Sequence, residues 1–183
     1  NNYCDIISMS YLFLSCTEIK FIFLGLFSTA FPTIAFEEQP TALYQINKNN
    51  KNLIDDWKNY KLIDKEALAK VDHEYKKFDE SLSSTTTDEQ GLQLLIDLSQ
   101  KIKFESLEIM QKFQPKTPEM QDLLQIKISL IDLSMNHLIN RLKNPTITND
   151  ETYNQEIEAI KNLAAKGKTL QDEIEKKVAQ SSQ

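Results

Sequence analysis

Residues able to bind a metal or carry catalysis are scarce in this chain. Its histidines are His73 and His137, its cysteines Cys4 and Cys16, and its one arginine is Arg141. A di-iron site in a helical bundle needs Glu-x-x-His pairs, with each histidine three residues after its glutamate. The residues three before His73 and His137 are Lys70 and Ser134, so neither histidine builds such a pair. Asp72-His73-Glu74 places three ligand types in a row, but consecutive helical residues diverge around the axis and do not converge on one ion. Covalent haem attachment requires Cys-x-x-Cys-His, a pattern the chain lacks. A b-type haem would have to pair His137 with Met110, Met120 or Met135, and the plainer reading of His137 is a histidine at a helix surface or boundary.

Nucleophilic catalysis fares no better. A hydrolase serine wants a strained, glycine-assisted turn, and phosphate binding wants a glycine-rich loop ahead of a helix. Beyond residue 35 the glycines are Gly91 and Gly167, and neither adjoins such a serine or forms such a loop. The sequence therefore predicts a non-enzymatic protein without metal or cofactor. A formal net charge of -6, from 27 acidic against 21 basic residues, gives a nucleic-acid partner little electrostatic support.

The aromatic pairs Trp57 with Tyr60, and Tyr75 with Phe78, recur at helical spacing, which reads first as a core seam and second as a binding patch. Asn50 and Asp64 fall on the same apolar stripe. A polar group at a seam position fixes register, or marks where the seam opens to a partner. Asn50, Trp57 and Tyr60 are accordingly the candidate partner-contact residues, while Asp64 reads as a helix cap or an exposed break. The cluster Asp172-Glu173-Glu175-Lys176-Lys177 reads as the solvated face of a helix.

These residues need helices to hold them. With 3 glycines and 5 prolines in 183 residues, the chain is poor in the turn residues that a sandwich or barrel uses. From Thr41, after Pro40, apolar residues recur at three and four through Leu43, Ile46, Leu53, Trp57, Tyr60, Ala67, Val71, Phe78 and Leu82. Two helices broken or kinked at Asp64 are expected there in preference to one long helix. Ser81 to Thr87 is a polar stretch that reads as a loop, and Thr87-Asp88-Glu89-Gln90 is a capping box opening a helix to about Phe113. Pro115-Lys116-Thr117-Pro118 is the next boundary, with Thr117 as N-cap and Pro118 at the first helical position. The helix that follows, to about Lys143, is apolar over more than half its circumference and belongs in the middle. Asn144-Pro145 stops it, and Thr148-Asn149-Asp150-Glu151 opens the last helix. Gly167, inside that helix, costs about 1 kcal/mol relative to alanine and implies a bend or a close approach. The pattern predicts an all-α fold, an antiparallel up-and-down bundle of four or five helices preceded by an N-terminal signal helix.

Lys20 followed by Phe21-Ile22-Phe23-Leu24-Gly25-Leu26-Phe27, then Thr33-Ile34-Ala35, has the order of a secretory signal with cleavage after Ala35. Residues 1–35 are read as that signal, with 1–18 as upstream read-through and translation starting at position 19. The apolar run Phe21 to Phe31 is about half the roughly 20 residues that a bilayer crossing needs. Both cysteines fall in this leader, so residues 36–183, a single helical-bundle domain, contain neither thiol nor disulfide. The expected location is periplasmic or extracellular, with membrane contact only through an uncleaved leader. The expected role is contact with a protein partner in the cell envelope, as an adaptor, inhibitor, immunity or chaperone-like factor. A periplasmic carrier of an apolar ligand or lipid is the alternative, suggested by the broad apolar faces of the helices from Asp88 and Pro118.

Overall fold

The computed structural model describes residues 48–84, 87–144 and 151–181. The expected signal segment, the cleavage point at Ala35, the start near Thr41 and the cap at Thr148 lie outside them. The described residues form four helices and no strand: α1 Lys48–Leu82, α2 Asp88–Gln111, α3 Pro118–Lys143 and α4 Glu151–Ser181. They pack as a helical bundle, α1 on α2, α2 on α3, α3 on α4, with α4 returning to α1.

The break expected at Asp64 does not occur. α1 is one helix of 35 residues, about 52 Å long at 1.5 Å per residue. No glycine or proline falls within it, and its inner stripe is buried on both sides of Asp64, from Leu53, Trp57 and Tyr60 to Ala67, Val71, Phe78 and Leu82. Asp64 is itself buried, and Lys127 of α3 answers its charge at 3.3 Å. A carboxylate with an ion partner across the core has no need of a helix end to satisfy it.

The other boundaries follow their local chemistry. Thr87 is extended, and its Oγ1 accepts the Gln90 N–H at 3.3 Å, the expected cap of α2. Thr117 has the extended backbone of an N-cap ahead of Pro118, but its side chain does not cap α3. The hydroxyl instead donates to Asp56 Oδ2 of α1 at 2.8 Å. The same oxygen accepts the backbone N–H groups of Lys116, at 2.7 Å, and Thr117, at 2.8 Å. One buried carboxylate of α1 thus orders the whole turn between α2 and α3, through contacts of a kind worth about 1.5–3 kcal/mol each.

The core is filled by Ile102 and Met110 of α2, Met120, Ile131, Met135 and Leu142 of α3, and Ile174 of α4, each at or below 2% exposure. α3 and α4 run in opposite directions, as Glu119 with Lys177 at one end and Arg141 with Tyr153 at the other require. Gly167 makes the close approach its position suggests: a Cβ there would lie 3.0 Å from Ile126 Cγ2.

Two stability outcomes follow. Asp56→Ala strands the buried N–H and hydroxyl of Thr117 and frees the Lys116 N–H, and is expected to lower stability by about 2–3 kcal/mol, read from urea unfolding. Gly167→Ala is expected to destabilise despite its better helix propensity, and Ile126→Leu, which removes the opposing Cγ2, should recover part of that loss; equal effects of Gly167→Ala in both backgrounds would refute the contact.

Candidate functional site

Asn50 lies in the first turns of α1. Trp57 and Tyr60 are 4% and 2% exposed, so their rings face inward and offer a partner no open surface in this structure. They stack on each other at 5.5 Å, and Tyr60 continues onto Phe113 at 6.2 Å, joining α1 to the segment after α2. Burial first, and the nearby Asp64 charge second, hold the Tyr60 hydroxyl protonated well above the usual tyrosine range. Tyr75 and Phe78 meet edge to face at 6.4 Å. His73 and Asp72 point to solvent while Glu74 is buried. The three consecutive ligand types therefore diverge, and among the described residues no group of three His, Cys, Asp or Glu is placed to hold a metal ion. Met110, Met120 and Met135 are fully buried in the core.

Two ion pairs tie α1 to its neighbours. Asp64 with Lys127 is nearly sealed, both side chains being 11% exposed. Burial raises the Asp64 pKa, and the Lys127 charge and hydrogen bond pull against it. Glu74 is held by Lys101 of α2 at 2.7 Å and by Lys77, one turn along α1, at 3.4 Å. Burial alone would raise its pKa too, but the two ammonium groups together outweigh burial and hold it below the ordinary glutamate range. Both pairs join helices.

The group of side chains with chemical potential lies between α3 and α4. His137 sits on α3 with Arg141 one turn later and Ser134 one turn earlier, all on the face that meets α4. From α4, Glu156 Oε2 lies 2.7 Å from His137 Nδ1, and the Tyr153 hydroxyl accepts from Arg141 Nη1 at 3.0 Å. The Tyr153 ring packs between them, 4.8 Å from the imidazole centroid and 5.6 Å from the guanidinium carbon. A carboxylate on Nδ1 leaves the other imidazole nitrogen as the reactive position, the arrangement of an oriented base. Yet that nitrogen, Nε2, is buried and has no hydrogen-bond partner, and the same is true of Arg141 Nε and Ser134 Oγ. Such groups cost about 1–3 kcal/mol each when buried unpaired, and clusters of them in native structures call for a reason.

Reading the sequence by motif missed this cluster, because its members are distributed over two helices and match no spacing rule. A weaker signal was there: the one arginine lies four residues after a histidine, on a helix whose other inner positions are mostly apolar. Comparison of the chain with protein-family models, curated proteins and solved structures finds no match.

The two buried acids of opposite shift give opposite pH signatures. Glu74, with its pKa lowered in the folded state, contributes stability that is present above the ordinary range near 4.5 and is lost as pH falls through the lowered value. Asp64, with its pKa raised from 3.8, does the reverse: its charged form opposes folding, increasingly so as pH rises from 3.8 through the raised value. Glu74→Gln should therefore destabilise at pH 7 and converge on the parent protein in acid, seen in urea midpoints between pH 3 and 7. Removing one partner of the Asp64–Lys127 pair is expected to cost about 3–5 kcal/mol, and Asp64→Leu with Lys127→Met together much less; additive losses in that cycle would contradict a coupled buried pair.

Proposed function

We propose that this chain is an exported, non-enzymatic antiparallel up-and-down bundle that acts in the cell envelope by contact with another protein. One observation supports contact over carriage: the broad apolar faces of α2 and α3, which a carrier would use to line a cavity, are engaged in packing. Leu95, Ile102, Ile109 and Met110 of α2 meet Leu123, Ile131, Met135 and Leu138 of α3 in one buried cluster. The grooves described on the surface are open and mixed in polarity, such as the one of about 580 Å³ between α3 and α4, bordered by Asp122, Ile126, Lys166 and Glu173. Large apolar groups left outside are Leu62 of α1, 66% exposed, and Phe104 of α2, 69% exposed. Export rests on the order of Lys20, the apolar run and Ala35 in the leader.

Intact mass spectrometry of protein released from a host cell with its leader intact should give a chain beginning at Phe36, with no added mass under native conditions. A co-purifying lipid would instead favour the carrier. A photo-crosslinking residue at Leu62 or Phe104, installed in living cells, is expected to give a discrete adduct of higher mass, and the same residue at buried Val71 none. Absence of adducts from both outer positions would count against contact through these faces.

A further inference from the structure

The two halves of α4 are held very differently. Its buried residues are Gln171 and Ile174, both beyond Gly167. From Glu151 to Lys166 every side chain is exposed or half-buried, Tyr153, Ile157, Ile160 and Leu163 being its half-buried apolar ones, of which Ile160 and Leu163 pack against the core. The second half is anchored by the close approach of Gly167 to Ile126 and by the Lys177–Glu119 ion pair at 3.0 Å. The α3 face opposite the first half carries His137 and Arg141, while Leu138 and Leu142 of α3 belong to the buried core cluster.

The fit between the first half of α4 and α3 is also incomplete in its polar contacts. Glu156 meets one nitrogen of His137, and Tyr153 gives Arg141 a single neutral acceptor. Three polar atoms of α3 stay unmet beneath it: Ser134 Oγ, His137 Nε2 and Arg141 Nε. They lie at spacings of three and four residues, hence on one face. Continuing the antiparallel pairing of Arg141 with Tyr153 by seven residues on each helix brings Ile160 to the level of Ser134, where it offers no acceptor. Opening this half-helix would hydrate all three atoms, while closing it seals them unpaired.

We propose that Glu151–Lys166 is a detachable arm covering a docking face on α3, and that this face accepts an acidic amphipathic helix of a partner protein in the arm's place. The proposal rests on the reading of the protein as one that works by protein contact, and names the surface and the partner's chemistry. His137 and Arg141 stand one turn apart, so a helix with carboxylates one turn apart meets both. A carboxylate takes the Nε and Nη groups of an arginine side-on in two parallel hydrogen bonds, which a tyrosine hydroxyl does not. Such a partner supplies what Tyr153 leaves unmet, and its apolar residues replace Ile157 and Ile160. The arm competes as a tethered ligand, so partner affinity scales with the fraction of chains in which it is open.

Hydrogen exchange on the full chain tests the arm. Amides from Gln155 to Lys166 are expected to exchange at least about tenfold faster than those of Leu130–Leu142, with Glu156→Ala faster again and Tyr153→Glu, which gives Arg141 a carboxylate, slower. The docking face is tested with a fluorescent synthetic peptide of residues 151–166 carrying Tyr153→Glu. It should bind full-length Glu156→Ala at least about tenfold more tightly than the parent chain, and lose that binding when Arg141→Gln is added. Circular dichroism of each variant confirms that the bundle is intact, and Tyr153→Glu carries the exchange test should Glu156→Ala unfold. Arm amides as slow as those of α3, or peptide binding indifferent to Arg141, would overturn the proposal. Crosslinks from Leu62 and Phe104 do not pass through the arm, so failure here and failure of the protein-contact reading register in separate experiments.

Discussion

Three carboxylates on the inner side of α1 set the arrangement of everything packed against it. Asp56, Asp64 and Glu74 are all buried, and a buried charge is tolerated only with a close partner. Each finds its partner on a different element: Asp56 on the turn before α3, Asp64 on Lys127 within α3, and Glu74 on Lys101 of α2. Apolar side chains tolerate sliding past one another, since one leucine contact resembles the next. Sliding α1 by a single turn, about 5.4 Å, would separate all three carboxylates from their partners at once. Hydrophobic burial provides the driving force for the bundle, and these charges select one alignment of it.

That division explains what could be read from sequence and what could not. The extents of α2 and α3 were readable, because Thr87, Thr117 and Pro118 are local signals acting on adjacent backbone. The helical class was readable from apolar spacing. The continuity of α1 was not, since Asp64 looks like a cap until Lys127, 63 residues later, is known to sit beside it. Thr117 was correctly placed at a helix start, but its hydroxyl serves Asp56 and not its own helix. Lys127 carried a clue in its own neighbourhood, being a lone charge among Leu123, Leu124, Ile126, Ile128, Leu130 and Ile131. Trp57 and Tyr60 had both a core and a partner reading, and their spacing alone does not tell which face of a helix meets its neighbours.

The α3–α4 seam is the counterpart of that tightly paired interior. Each buried acid of α1 has an ion or hydrogen-bond partner on another element, whereas α3 keeps unmet atoms on Ser134, His137 and Arg141, and α2 on Glu105 and Ser106. The contrast is chemical as well as geometric. The partners of α1 are mostly charged ends of lysines and backbone amides that point squarely at a carboxylate, whereas α4 meets α3 there with one glutamate, one phenol and aliphatic carbons. The half of α4 that meets α3 with the fewest buried side chains coincides with the cluster of histidine, arginine, tyrosine and glutamate.

The Asp56 clamp also bears on the order in which the chain becomes structured. The turn it organises lies 60 and 61 residues further along than the carboxylate itself. During synthesis α1 is made first, and through all of α2 its Asp56 has only water to bind. α1 and α2 can pair early through Glu74 and Lys101, but Asp56 is not satisfied until Thr117 has been added, nor Asp64 until Lys127, further along within α3. A chain stopped short of Thr117 would hold a helical hairpin with two inward-facing charges unanswered. The reverse turn at residues 115–117 is local in shape and non-local in cause, so it forms late, as the step that commits the first three helices to one another.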